Sequence, residues 1–341
     1  MIEDKETVFT GRQLPEDGSV DTALRPRSFA EFVGQRRLVE NLSVYIKAAK
    51  QRGEPLDHLL FSGLPGLGKT TLSFLISTEM GTELRATSGP ALARPRDLAG
   101  ILTNLEAGDV LFIDEIHRLP AAVEEYLYGA MEDFTLDIVL DQGPAARSIR
   151  INLKRFTLIG ATTREGQLSG PLRGRFGVNE KLDLYPAAEL TEILLRSAKR
   201  LAIPLEPDAA DCIARHSRGT PRLANRFLKR VRDFAQVESG NRITLAVAER
   251  GLARLGIDAH GLSAVDRRIL STLLRAGGVP VGLKTIAVSV GEEEQTIEDV
   301  YEPWLIQQSF VLKTPRGRLA TPRAAEVLPE EAAPGKKGEL F

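Results

Sequence analysis

Residues Gly63-Leu64-Pro65-Gly66-Leu67-Gly68-Lys69-Thr70 constrain this chain more than any other stretch. They fit the spacing G-x-x-x-x-G-K-[ST], follow an apolar run and open a helical segment. Glycines at these positions let backbone N–H groups close around phosphate oxygens at the positive end of the next helix. In that reading Lys69 reaches the β- and γ-phosphates of a nucleotide, and the Thr70 hydroxyl ligates Mg²⁺.

The surrounding pattern suits such a loop. Short apolar runs at His58–Ser62, Glu83–Thr87, Val110–Asp114, Phe156–Ala161 and Lys181–Leu184 alternate with helical segments across 25–185. That predicts an α/β domain with a parallel sheet. Between the third and fourth runs, 135–153 alternates Leu136, Ile138, Leu140 and Ile149, Ile151, Leu153 around Gly143-Pro144. This predicts a β-hairpin inserted into the sheet order. Residues 186–256 read as a helical lid, with Thr220 as N-cap and Pro221 in the first turn of an amphipathic helix. Residues 257–325 read as a winged helix-turn-helix. It has helices over Ser263–Ala276, Leu283–Val290 and Glu293–Gln308, a short strand at Val279–Val281, and a wing from Phe310–Lys313 and Arg318–Thr321. A polar arm (1–24) and a Pro/Ala/Glu-rich tail (326–341), read as disordered, flank these units.

Composition removes several function classes. One cysteine, Cys212, forms neither an internal disulfide nor a cysteine zinc site, and four histidines are scattered. No apolar run approaches the roughly 18 residues of a membrane span, and the N-terminus lacks an apolar signal core, so a cytoplasmic protein is expected. Net charge is −1, yet 186–256 holds 13 basic and 8 acidic side chains. A nucleic-acid surface would have to be local.

Other residues fit nucleotide chemistry. Val110 to Glu115 is an apolar strand ending in two acids. Asp114 suits Mg²⁺ and Glu115 suits orientation of an attacking water. Thr163 ends a further strand, where it is either a γ-phosphate sensor or simply a good strand former. Arg175 is either an arginine finger or a surface arginine, and Arg222 either reaches a nucleotide from the lid or is solvated. In the winged unit the third helix carries Glu292, Glu293, Glu294, Glu298, Asp299 and Glu302 in or just before it. Lys313, Arg316 and Arg318 cluster in the wing, with Arg323 beyond. DNA, if bound, is therefore expected there, through phosphates.

The order of phosphate loop, Asp-Glu strand, hydroxyl strand, arginine and Gly219-Thr220-Pro221-Arg222 resembles the AAA+ ATPases. Leu24-Arg25-Pro26, Phe32-Val33-Gly34-Gln35, His58-Leu59-Leu60, Leu111 to Leu119, Gly143 to Ser148, Thr157 to Arg164 and Thr314 to Arg318 resemble one AAA+ family, RuvB. These are hexameric motors of Holliday-junction branch migration. The resemblance covers nearly the whole chain. It implies an AAA+ sheet with an inserted hairpin, a lid, a winged helix, ATP with Mg²⁺, and double-stranded DNA at Holliday junctions. A RuvA-type partner would dock on the 135–153 hairpin, and a junction resolvase would join the complex. Leu24 and Arg25 would touch adenine. Gly66, Gly68, Lys69, Thr70 and Thr71 would hold phosphates and metal. Glu132, Asp133 and Phe134 would lie near the nucleotide, Arg175 would be a finger serving a neighbouring subunit, and Tyr185 and Arg222 would close the pocket.

Two departures stand out: Leu64 replaces a usual proline, and Glu294 an arginine often used toward DNA. Rival readings are a clamp loader, an unfoldase or a non-motor DNA-binding regulator. Segment 88–93 lacks the aromatic of an unfoldase pore loop, and a single cysteine excludes the zinc module of many clamp loaders. Lys69, Asp114, Glu115 and Arg175 together argue against a vestigial ATPase.

Overall fold

The computed structural model describes residues 24–139 and 148–328. The arm before Leu24, the hairpin tip at Gly143-Pro144 and the tail beyond Leu328 lie outside the described residues. The described chain divides into two compact units, 25–184 and 185–328, with Leu24 going with the second.

In the first unit, α1 (Arg36–Arg52) buries Leu38, Leu42, Ile46 and Ala49 along one stripe and ends at Gly53, whose φ is 69°. Seven strands follow in chain order: β1 (Leu59–Ser62), β2 (Leu84–Ser88), β3 (Val110–Asp114), β4 (Thr135–Val139), β5 (Ser148–Asn152), β6 (Thr157–Thr162) and β7 (Val178–Lys181). Five of them form a parallel sheet in the order β2-β3-β6-β1-β7. Every residue of β1 and β6 is buried, the run expected of inner strands covered on both faces. The helices α2 (Lys69–Met80), α3 (Pro95–Leu102), α4 (Ala121–Glu132) and α5 (Gly170–Gly174) complete the unit.

One expectation needs correction. The last sheet strand lies at Val178–Lys181, not Lys181–Leu184. It is an edge strand with an alternating burial pattern, so it lacks the continuous apolar run that Leu182 and Leu184 suggested. The hairpin is inserted between β3 and β6 in chain order, as expected: among the described residues β4 and β5 pair with each other, antiparallel, outside the parallel sheet. Its base is seated on the core, where Leu136 is buried and Ile151 and Leu153 pack alongside. Further out, Asp137 and Arg150 face each other and bond at 2.9 and 3.0 Å, and that bond holds the Asp137 carboxyl below its usual pKa. Ile149 is 48% exposed.

The second unit contains both predicted smaller domains. The lid helices are α6 (Ala187–Arg200), α7 (Pro207–His216), α8 (Pro221–Glu238) and α9 (Leu245–Arg254). The winged part has α10 (Ala264–Arg275), whose Ser263 and Asp266 form a reciprocal capping box, and α11 (Leu283–Val290). The third helix is not uniform. Glu294–Thr296 leads into a π turn at Ile297–Tyr301, then an α segment at Glu302–Gln307. Pro303, which has no N–H for the α ladder, lies just past the π turn. The wing is β8 (Val311–Thr314) paired with β9 (Gly317–Ala320), and the expected strand at Val279–Val281 reduces to one bridge, Val281 to Arg318. A last helix, Pro322–Val327, runs past the expected domain end at 325. Lid and wing are joined by a buried ion pair between Arg218 and Asp266. Among the described residues no helix is long and apolar enough to cross a membrane, and no cluster of metal-binding side chains occurs.

Candidate functional site

The sheet order sets the first unit's chemistry. β6 lies between β1, which leads into the phosphate loop, and β3, which ends in the acid pair. All run parallel, so the loop, the acids and the hydroxyls emerge at the same carboxyl edge.

The loop takes backbone conformations that glycine alone accepts readily. Gly63, Gly66 and Gly68 have φ of 141°, 84° and 106°. A side chain at Gly63 would also put Cβ 2.8 Å from the Leu182 carbonyl oxygen. Lys69 opens α2 and is buried, and its Nζ donates to the Gly63 and Leu64 carbonyls at 2.7 and 2.9 Å. The ammonium is thereby held over the loop. Thr70 and Thr71 follow on the first turn, half-buried. Glycine-lined backbone, a fixed ammonium, the Thr70 hydroxyl and the Asp114 carboxylate fit a nucleotide with Mg²⁺.

Glu115 sits just past β3 in the left-handed region (φ 50°, ψ 43°), a strained setting for a side chain of this kind. Its backbone N–H donates to the Asp114 carboxylate at 3.0 Å. His117 Nε2 stands 3.4 Å from the Glu115 carboxylate, and His117 Nδ1 lies 2.9 Å from the Thr162 hydroxyl. An ionised carboxylate only accepts, so a neutral His117 carries its proton on Nε2 and the Thr162 hydroxyl donates to Nδ1. Thr162 also accepts from the Arg164 backbone N–H at 3.0 Å. The hydroxyl that contacts the acid system is therefore Thr162. Thr163, the expected sensor, lies one residue beyond the strand and is half-buried. Sequence reasoning assigned no role to His117 or Thr162. The available signal was His117 two positions after Glu115.

Arg175 caps the end of α5. Its Nη2 pairs with Glu132 at 3.1 Å, its Nη1 donates to the Pro171 carbonyl at 2.8 Å, and its guanidinium lies 4.2 Å from the centre of the Tyr128 ring. Asp133 and Phe134 follow Glu132. Phe134 has φ 51° and its ring meets Phe156 edge-on at 5.8 Å and His58 at 6.1 Å, which gives it a packing role. In the second unit Leu24 and Tyr185 are buried. The Tyr185 N–H donates to the Gly219 carbonyl at 2.9 Å, which ties it to the turn that presents Arg222, exposed on the first turn of α8. Arg25 is half-buried in the first unit.

Three family descriptions tile the chain. "Holliday junction DNA helicase RuvB P-loop domain" matches 24–182, "RuvB AAA lid domain" 185–258 and "RuvB C-terminal winged helix domain" 259–329. The chain belongs to the RuvB family.

Curated relatives named "Holliday junction branch migration complex subunit RuvB" agree. The one from Myxococcus xanthus is 60% identical over 329 residues, 96% of each chain. The one from Salinibacter ruber is 56% identical over 95% of this chain and 94% of its own. The solved Thermotoga maritima RuvB branch migration motor superposes with a TM-score of 0.82 at 49% identity, over 90% of this chain and 98% of that one.

In the winged part of the second unit, acidic side chains of the third helix meet the basic side chains of the wing. Arg318 is 12% exposed in its side chain and pairs with Glu302 at 2.8 Å and Glu298 at 3.6 Å. Lys313 reaches Glu302 at 3.1 Å and Glu298 at 3.2 Å. Burial pulls the Lys313 pKa down, but the two carboxylates together outweigh it and raise it. The acidic face of the third helix thus forms ion pairs with two of the three residues expected to contact DNA. Arg316, at the wing turn, stays exposed, and Arg323 lies over the Phe310 ring at 5.1 Å. Periodicity could not reveal this, because Glu302 and Arg318 are 16 residues apart.

Proposed function

We propose that this chain is an ATP-hydrolysing motor subunit that drives branch migration at Holliday junctions. The single observation that supports the reading most is the placement of β6 between the phosphate-loop strand and the acid strand, at one carboxyl edge, in a chain that RuvB descriptions match over 24–182, 185–258 and 259–329. Lys69 neutralises phosphate charge and Glu115 orients the attacking water. Thr70 and Asp114 would hold Mg²⁺, which offsets charge on the phosphates when bound. Leu24, Arg25, Tyr185 and Arg222 are assigned to the nucleotide's other side, with Thr163 as γ-phosphate sensor.

The finer assignments belong to the same proposal. The subunit works in the cytoplasm as a homohexamer, and Arg175 completes a neighbour's site. A RuvA-type partner docks on the hairpin at Ile149, the exposed apolar residue on β5, rather than at Ile151, which packs on the core. Arg316 contacts phosphates of double-stranded DNA. A junction resolvase shares the complex.

The test is strand exchange on a synthetic four-way junction, with and without the partner. Wild type exchanges strands when ATP is present. Glu115→Gln retains ATP but neither hydrolyses it nor migrates the junction. Normal turnover in Glu115→Gln would remove the assignment.

A further inference from the structure

Arg175 is held from three sides by its own subunit. Glu132 pairs with Nη2, and the Pro171 carbonyl accepts from Nη1. The face of the Tyr128 ring carries the guanidinium at 4.2 Å, while Nε is buried with no hydrogen-bond partner. The ring is itself anchored. The Tyr128 hydroxyl lies 3.2 Å from both the Glu124 carboxylate and the Ser169 hydroxyl, and Ser169 donates to Glu124 at 2.6 Å. Ser169 also caps α5, the helix that ends at Arg175. Glu124 and Tyr128 lie one turn apart on α4, and Glu132 ends that helix. One helix face therefore supplies the anchor, the platform and the counter-ion. The three differ in exposure. Glu124 is buried, Tyr128 is half-buried against the core, and the Glu132 side chain is 56% exposed.

We propose that Tyr128 is a positioning residue for Arg175, a rigid aromatic platform that fixes the guanidinium before it meets phosphate charge in a neighbouring subunit. The inference rests on the reading of Arg175 as a finger acting across subunits. A guanidinium held by cation–π contact keeps its N–H groups in plane and free to donate outward. Glu132, the exposed partner, is the one that phosphate oxygens displace. Orientation errors of about 1 Å cost roughly a hundredfold in rate.

Full-length Tyr128→Met keeps side-chain bulk and helix propensity but removes the π face. It should lower DNA-stimulated kcat by roughly ten- to a hundredfold, with KM for ATP unchanged within about twofold. Tyr128→Phe, which keeps the face, should retain most of the turnover. Tyr128→Met added to Arg175→Ala should cost nothing further. In mixed rings Tyr128→Met should be rescued by Lys69→Ala subunits, which carry an intact finger, and not by Arg175→Ala subunits. Normal kcat in Tyr128→Met, a KM effect alone, or additivity with Arg175→Ala overturns the proposal. Should Tyr128→Met fail to assemble, Tyr128→Leu decides, since it too removes the π face while keeping an apolar, helix-favouring side chain. A several-fold fall in kcat supports the platform and an unchanged kcat refutes it. Normal turnover in Arg175→Ala would instead sink the finger reading itself, and the platform with it.

Discussion

Arg175 and Arg218 are built from the same parts and put to opposite ends. Each guanidinium lies over an aromatic ring, at 4.2 Å from Tyr128 and 4.7 Å from Trp304. Each pairs with a carboxylate. The carboxylates differ. The Glu132 side chain is 56% exposed, whereas Asp266 is wholly buried and also takes the Ser263 N–H and hydroxyl. An exposed counter-ion exchanges for another anion at little cost, because water solvates it when released. A buried one cannot be released without stranding a charge. The first arginine can exchange its counter-ion, and the second locks lid to wing.

The largest expected effect separates the two directly. Arg175→Ala should cut ATP turnover on the order of 10³–10⁵-fold, about 4–7 kcal/mol of barrier, with little change in melting temperature. Parallel ATPase and thermal melts check it. Arg218→Ala should do the reverse and destabilise the chain by about 3–5 kcal/mol through the stranded Asp266. Denaturant unfolding reads this, and replacing both partners with apolar residues should recover much of the loss. A stable Arg218→Ala would erase the distinction.

Arg318 and Arg316 extend the comparison to a third site. Removing Arg318 leaves buried Glu302 short of a partner, so Arg318→Ala should lose about 2 kcal/mol of stability. Arg316→Ala should leave stability unchanged but lower the log–log salt slope of DNA binding by about 1 per subunit engaged. Affinity measured against salt, beside unfolding curves, tells the two apart. If Arg318→Ala weakens binding without destabilising the fold, the wing's ion pairs are not structural.

The smallest effect concerns a buried group with neutral partners. His58 Nδ1 accepts from the Leu158 N–H at 2.9 Å, so its proton sits on Nε2, directed at the Met131 carbonyl 3.1 Å away. Burial lowers its pKa, only partly offset by that carbonyl and by Asp57. The unfolded chain then takes up the proton first as pH falls. The stabilising contribution is complete above about pH 6.5 and declines below it, by at most about 1.4 kcal/mol per pH unit. His58→Gln should flatten that part of the unfolding profile between pH 5 and 7.

Much of the first unit was legible because its chemistry is local. A phosphate loop, a strand ending in two acids and a glycine-terminated helix are set by neighbours within a few residues, and strand β3 falls where the pattern puts it, as does helix α11 in the second unit. The edge strand β7 was not legible, since its alternating burial lacks the continuous apolar run of an inner strand. Across the site, the residue types at Lys69, Asp114, Glu115 and Arg175 came from sequence. Their partners did not.

What the sequence determined by itself is the identity and order of the reactive groups, because backbone conformation and motif spacing act over a few residues. The tertiary structure decided which charges are committed and which remain available. Arg316 and Arg318 are two residues apart and chemically identical, yet Arg316 lies in the turn before β9 and stays exposed, while Arg318 lies on the strand, where Glu302 draws it into an ion pair. Tyr128 and Arg175, and Arg218 and Asp266, are each more than forty residues apart and meet only when helices pack. The strength of a charge depends on its partner and on the water around it, and both are settled by packing.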